Sequence, residues 1–144
     1  METVVVGVDG SEASGVALEF AVEEAVRRKA RLRVVSAWVL AMSSPPEMVM
    51  APDMVEAFQT EAQTVIDEAV ARARELQPDL PCEGVVLEGD AGDLLVAESR
   101  GAAVVVVGRR GHGALQSLIL GSVSRRVVDH AACPVIVVPP LTAR

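Results

Sequence analysis

Aromatic side chains are almost missing from this chain: of 144 residues only Phe20, Trp38 and Phe58 are aromatic, and there is no tyrosine. Its core must therefore be built from Val, Leu, Ala and Ile. Lysine is nearly absent too, with Lys29 standing alone. Acidic residues outnumber basic ones, 20 to 13, for a net charge of −7. That balance argues against a general grip on nucleic acid or on anionic membrane surfaces. An anionic ligand has to be held by local dipoles and local cations, against the field of the whole chain. The two cysteines, Cys82 and Cys133, show no metal-ligand spacing and read as apolar fillers of a reducing compartment. No run approaches the roughly 20 apolar residues of a membrane span. No basic leader precedes TVVVGVDG, so the expectation is a cytoplasmic protein.

What the chain has in quantity is short apolar runs. They lie at 3–8 (TVVVGV), 32–39 (LRVVSAWV), 84–87, 102–107 (AAVVVV) and 134–138 (PVIVV). Continuous rather than alternating runs suit strands buried on both faces of a parallel sheet.

Helical patterns fill the gaps. In 12–29, Ala17, Phe20, Ala21 and Ala25 share a face, with Ser11 as N-cap. Glu23–Arg27 and Glu24–Arg28 are spaced as i,i+4 pairs. In 54–77 the stripe is Val55, Phe58, Ala62, Val65, Ala69, Ala73 and Leu76. Asp53 with Glu56 resembles a capping box, and Pro78 stops that helix. A shorter helix covers 92–100, with Asp90 or Asp93 near its start. The last, 122–131, is capped by Ser122. The order β-α-β-α-β-α-β-α-β predicts a single α/β domain over 1–144, with a mostly parallel sheet and right-handed crossovers. The segment 40–53 (LAMSSPPEMVMAPD) reads as a mobile surface connection; a lid or partner-docking loop is the sharper alternative.

In an open α/β sheet, ligands bind beyond the carboxyl ends of the strands, where strand order reverses. Two strand ends carry suggestive loops: GVDGS at 7–11 and GRRGHG at 108–113. Glycines there let backbone N–H groups approach a ligand. Gly121-Ser122 then opens a helix, whose N-terminus suits phosphate. Gly108 and Gly111 on one side, with Gly121 and Ser122 on the other, form two walls of a phosphate site, and the hydroxyls of Ser122 and Ser124 add donors. Leu115, Leu118, Ile119 and Leu120 anchor the excursion between them. Asp9 suits a ribose hydroxyl or a metal ion, and the base falls toward Ala37. The pattern is neither a P-loop nor a GxGxxG fingerprint, and glycines at α/β turns are often purely structural.

VVVGVDGSEAS at 4–14 and VVVVGRRGHG…LGSVSRRVVDHAACPVIVV from 104 to 138 resemble the universal stress protein family, in its ATP-binding branch. The family's pattern G-x2-G-x9-G-[ST] falls on Gly108, Gly111, Gly121 and Ser122. The resemblance implies a Rossmann-like sheet in the order 3-2-1-4-5, with helices on both faces, and a homodimer through 134–138. It implies ATP, with Mg2+ as a possible companion, and a stress-response or signalling role with an unknown protein partner. It places Gly7 under the ligand, Asp9 at the ribose or phosphates, backbone at Ala37 against adenine, and Val123 and Ser124 at the phosphates. The family often has Ser at the place of Arg109 and Asp at that of Ala103. Arg109 and Arg110 either touch phosphate or stay solvated; contact by one of them is the preferred reading.

An enzyme needs a base, a nucleophile and an orienting partner. His112 reads as an exposed loop residue and His130 as a cation near a helix C-terminus. The expectation is a binding module with slow hydrolysis at most. The rivals are an ATP-using hydrolase or nucleotidyl transferase, and a dimeric interaction protein that works without nucleotide.

Overall fold

The computed structural model describes residues 1–39, 52–109 and 120–140. Five strands and four helices alternate: β1 (Thr3–Gly7), α1 (Glu12–Arg28), β2 (Arg31–Trp38), α2 (Pro52–Leu76), β3 (Cys82–Glu88), α3 (Ala91–Ser99), β4 (Val104–Gly108), α4 (Ser122–His130) and β5 (Val135–Val138). The strands form one sheet in the order β3-β2-β1-β4-β5, and all four pairings are parallel. The sheet is Rossmann-like, with helices on both faces.

Alternation along the strands builds two cores. Val4 and Val6 of β1, with Val104 and Val106 of β4, face α1 and α2 and pack with Ala17, Ala21, Ala25, Ile66 and Val70. Val5, Val105 and Val107 face the other way and pack with Leu95 of α3 and Val127 of α4. The alanines of α1 keep that helix close to the sheet, so valines of the central strands are fully buried without an aromatic filler. β3 and β5 depart from the expected two-sided burial. They are the outer strands, so Cys82–Leu87 and Val135–Val137 stay partly exposed or exposed.

The elements follow their local sequence with four corrections. Ser11 caps α1, its side chain accepting the Ser14 N–H at 3.2 Å, and Asp90 caps α3 through the Asp93 N–H at 3.0 Å. Ser122 does not cap α4: the cap position is Gly121, which makes no side-chain cap hydrogen bond. Pro52 begins α2, so Asp53 lies inside its first turn, where a carboxylate suits the dipole. Arg27 pairs with Glu24 rather than Glu23, because Glu24 also holds Arg28 and serves both arginines. On α2, Ile66 and Val70 are buried beside Ala62, Ala69 and Ala73, which widens the expected stripe. The segment 40–51 lies outside the described residues. Among the described residues no helix is long and apolar enough to cross a membrane.

Candidate nucleotide site at the switch point

Strand order reverses between β1 and β4: from β1 the chain moves to β2, and from β4 it moves to β5. Val4–Val6 of β1 lie in register with Val104–Val106 of β4, so the two strands end side by side. Gly7 and Gly108 close them.

Each glycine answers to a different neighbour. A Cβ on Gly7 would stand 2.7 Å from Leu95 Cδ1 of α3. A Cβ on Gly108 would stand 3.0 Å from the carbonyl oxygen of Ala13 in the first turn of α1. The second contact is with backbone, so α1 begins hard against the end of β4 only because position 108 has no side chain.

The turn after β1 is tied down locally. Gly10 takes φ +83°, which L side chains rarely adopt. The Asp9 carboxylate accepts the Ser11 N–H at 2.9 Å, and the Asp9 N–H donates to Ser14 Oγ at 3.3 Å. Ser14 is buried, and its hydroxyl donates to the Ser11 carbonyl at 3.0 Å. This residue was missed in the sequence; the Ser-x-x-Ser spacing at 11–14 was the available signal. Asp9 itself is exposed at the crevice.

The far wall is joined to β4 through Arg109. Its N–H donates to the Val138 carbonyl at 3.0 Å. Its carbonyl accepts the Gly121 N–H at 2.7 Å and the Ser124 hydroxyl at 2.8 Å. The Ser124 hydroxyl also reaches the Gly121 carbonyl at 3.1 Å, so this buried group spends its hydrogen on backbone oxygens. The first intrahelical bond of α4 runs from the Arg125 N–H to the Gly121 carbonyl. The N–H groups of Ser122, Val123 and Ser124 precede it, at a helix start whose cap residue, Gly121, makes no side-chain cap hydrogen bond. Ser122 and Val123 are exposed.

Gly7, Asp9, Gly108, Arg109, Gly121, Ser122, Val123 and Ser124 thus share one edge of the sheet. Ala37 joins them at the same end of β2, one strand beyond β1 and half-buried. At about 4.8 Å between strands, β2 and β4 lie roughly 10 Å apart. Arg110, Gly111, His112, Leu115, Leu118 and Ile119 lie outside the described residues. His130 is exposed in the last turn of α4.

Among the described residues no group of three or more His, Cys, Asp or Glu side chains is placed to hold a metal. Both cysteines are free thiols. Burial pushes each thiol up, partly opposed by Arg74 at Cys82 and by the Val105 backbone at Cys133.

The family model for the universal stress protein family matches residues 1–139. The chain belongs to the universal stress protein family. A universal stress protein of Mycobacterium tuberculosis strain H37Rv is 41% identical over 135 residues, covering 93% of this chain and 44% of the relative. The chain therefore spans less than half the length of that curated relative. Among solved structures, a universal stress protein in complex with cAMP is 27% identical with a TM-score of 0.72, covering 96% of this chain and 97% of the other. A universal stress protein from Archaeoglobus fulgidus in complex with dAMP is also 27% identical, with a TM-score of 0.68 over 95% of this chain and 97% of the other.

Proposed function

We propose that this universal stress protein domain binds an adenine nucleotide at the β1–β4 switch point, with ATP as the ligand and signalling rather than turnover as the role. The observation that carries this reading is the 2.7 Å bond from the Gly121 N–H to the Arg109 carbonyl. It sets the uncapped start of α4 beside the exit of β4. Helix N–H groups then meet the phosphates, Asp9 meets the ribose, and the backbone at Ala37 meets the base. The cAMP and dAMP complexes of the related proteins support the adenine nucleotide class. Mg2+ would travel with ATP, and Asp9 is the carboxylate assigned to the site.

Calorimetric titration checks the reading. ATP should bind saturably, one per chain, and AMP or cAMP should compete with it. Affinity weaker than about 1 mM for all three would contradict the proposal.

The second part of the proposal is a homodimer through residues 134–138. β5 is an outer strand with Val135, Ile136 and Val137 partly exposed. An apolar edge strand left open is an association hazard, and isologous antiparallel pairing with a second copy would cover it. Sedimentation at micromolar concentration should return twice the chain mass. Val137→Lys, which adds charge to that strand, should shift the distribution toward the single chain. A parent that sediments as a single chain would refute the pairing.

A further inference from the structure

We propose that the outer edge of β3 is a docking site for a basic, extended segment of a partner protein, which joins the sheet as a further strand.

β3 ends the sheet, and β2 is its one strand partner among the described residues. The backbone shows which groups are left over. The Pro81 carbonyl accepts the Leu32 N–H at 2.8 Å, and the Gly89 N–H donates to the Trp38 carbonyl at 2.9 Å. In a strand the N–H and C=O of one residue point the same way, and those of its neighbours point the opposite way. The odd positions from 81 to 89 therefore face β2. The N–H and C=O groups of Cys82, Gly84, Val86 and Glu88 face outward, and no backbone group among the described residues pairs with them.

Outer strands are commonly blunted by Lys, Pro, a bulge or shortness. β3 has none of these. Cys82–Glu88 contains no Lys or Pro, and its register with β2 runs unbroken through seven pairs. It is longer than β5, seven residues against four. Val85, Val86 and Leu87 at its centre are half-buried, and Ile66 and Val70 of α2 stand over Gly84. A regular ladder of this kind holds an extended peptide by main-chain hydrogen bonds, and the side chains beside it select which peptide.

Charge selects here. Asp79, Glu83, Glu88 and Asp90 are all exposed, and the stretch 79–90 holds no Lys or Arg. Arg33 of β2 takes one oxygen of Glu83, which stays 55% exposed, and Arg74 of α2 acts on Cys82. The carboxylates remain in the majority. A second copy of the chain would bring the same four carboxylates against these, and like charges across a strand pair are destabilising. That separates this edge from β5, whose four residues carry no charge. A partner strand with basic residues at both ends has the opposite sign. Glu83 and Glu88 lie roughly 17 Å apart along β3, on opposite faces of the sheet, so the fit is to two basic residues five positions apart around a β-branched centre.

The test uses two blocked hexapeptides, Lys-Val-Thr-Val-Thr-Lys and Glu-Val-Thr-Val-Thr-Glu, titrated into the full chain, with amide hydrogen exchange read residue by residue. The basic peptide should bind at least about tenfold more tightly than the acidic one. At saturation it should slow exchange of the Gly84 and Val86 N–H groups by about tenfold or more, while the Val85 N–H, already bonded to β2, stays unchanged. Val86→Pro removes an outward N–H without touching the pairing with β2, and should abolish binding. If Val86→Pro does not fold, the double variant Glu83→Gln with Glu88→Gln decides: it should lose about fivefold or more in affinity for the basic peptide, and unchanged affinity overturns the proposal. Equal binding of the two peptides overturns it, as does binding of neither. Binding of the basic peptide without protection at Gly84 and Val86 is general charge attraction and overturns it too. Protection of those two amides that appears without peptide and grows with protein concentration gives the edge to a second copy, and overturns the assignment to a basic partner.

Discussion

Gly108→Val should lose nucleotide binding and melt about 6–8 °C below the parent. The added Cβ would meet the Ala13 carbonyl oxygen at 3.0 Å, its carbon at 3.1 Å and its Cβ at 3.3 Å. Main-chain atoms cannot swing aside as a side-chain end can, so α1 and β4 have to separate. Overpacking of this kind costs about 2 kcal/mol. For a chain of this size each kcal/mol moves the melting temperature by roughly 3–4 °C. The same separation carries the turn at Asp9 away from the exit of β4, so both sides of the crevice move together. Gly15→Ala is the internal control. It lies within α1, and nothing stands within 4 Å of its added Cβ. Replacing a helical glycine by alanine there should raise stability by about 0.5–1 kcal/mol and leave binding intact. Differential scanning calorimetry with and without ATP reads both variants. A Gly108→Val protein that melts and binds like the parent would remove the close approach from the account.

The valine runs made the parallel sheet legible because β1 and β4, in the interior of the sheet, are buried on both faces and can be apolar at every position. Ala17, Ala21 and Ala25 announced the inner face of α1, and Ser11 announced its start. The outer strands were less legible, since burial of β3 and β5 depends on their place in the sheet and not on their composition. Glu24 could not be read as the shared partner of Arg27 and Arg28 from spacing alone, because side-chain geometry chooses between neighbouring carboxylates.

That Gly7, Asp9, Gly108 and Gly121 fall at neighbouring strand ends was legible because a strand-order reversal brings particular strand ends together. For Ser124 the expected hydroxyl donor to phosphate was legible only as a position, because its hydrogen goes to backbone oxygens. Its hydroxyl partner is the carbonyl of Arg109, fifteen positions earlier in the chain, and tertiary packing alone sets that bond. The cap of α4 was misplaced for a related reason. Serine beside glycine is the stronger capping residue in isolation, yet the Gly121 N–H is engaged by Arg109 and fixes Gly121 as the cap.

The most direct test of the account is the thermal shift produced by ATP in the parent and in Gly121→Val. Gly121 is buried at φ −75° and ψ 172°, an extended conformation that any residue adopts, so the exchange imposes no backbone strain. A valine there places three carbons where the helix start is joined to Arg109, and so denies a phosphate its approach. ATP that binds only the folded state, at a hundredfold excess over its dissociation constant, stabilises it by about 2.7 kcal/mol. The parent should therefore melt roughly 8–10 °C higher with ATP. Gly121→Val should melt cooperatively without ligand and shift by less than about 1 °C when ATP is added. An equal shift in the two proteins would show that the phosphates do not bind at the start of α4, and would contradict the account at its centre.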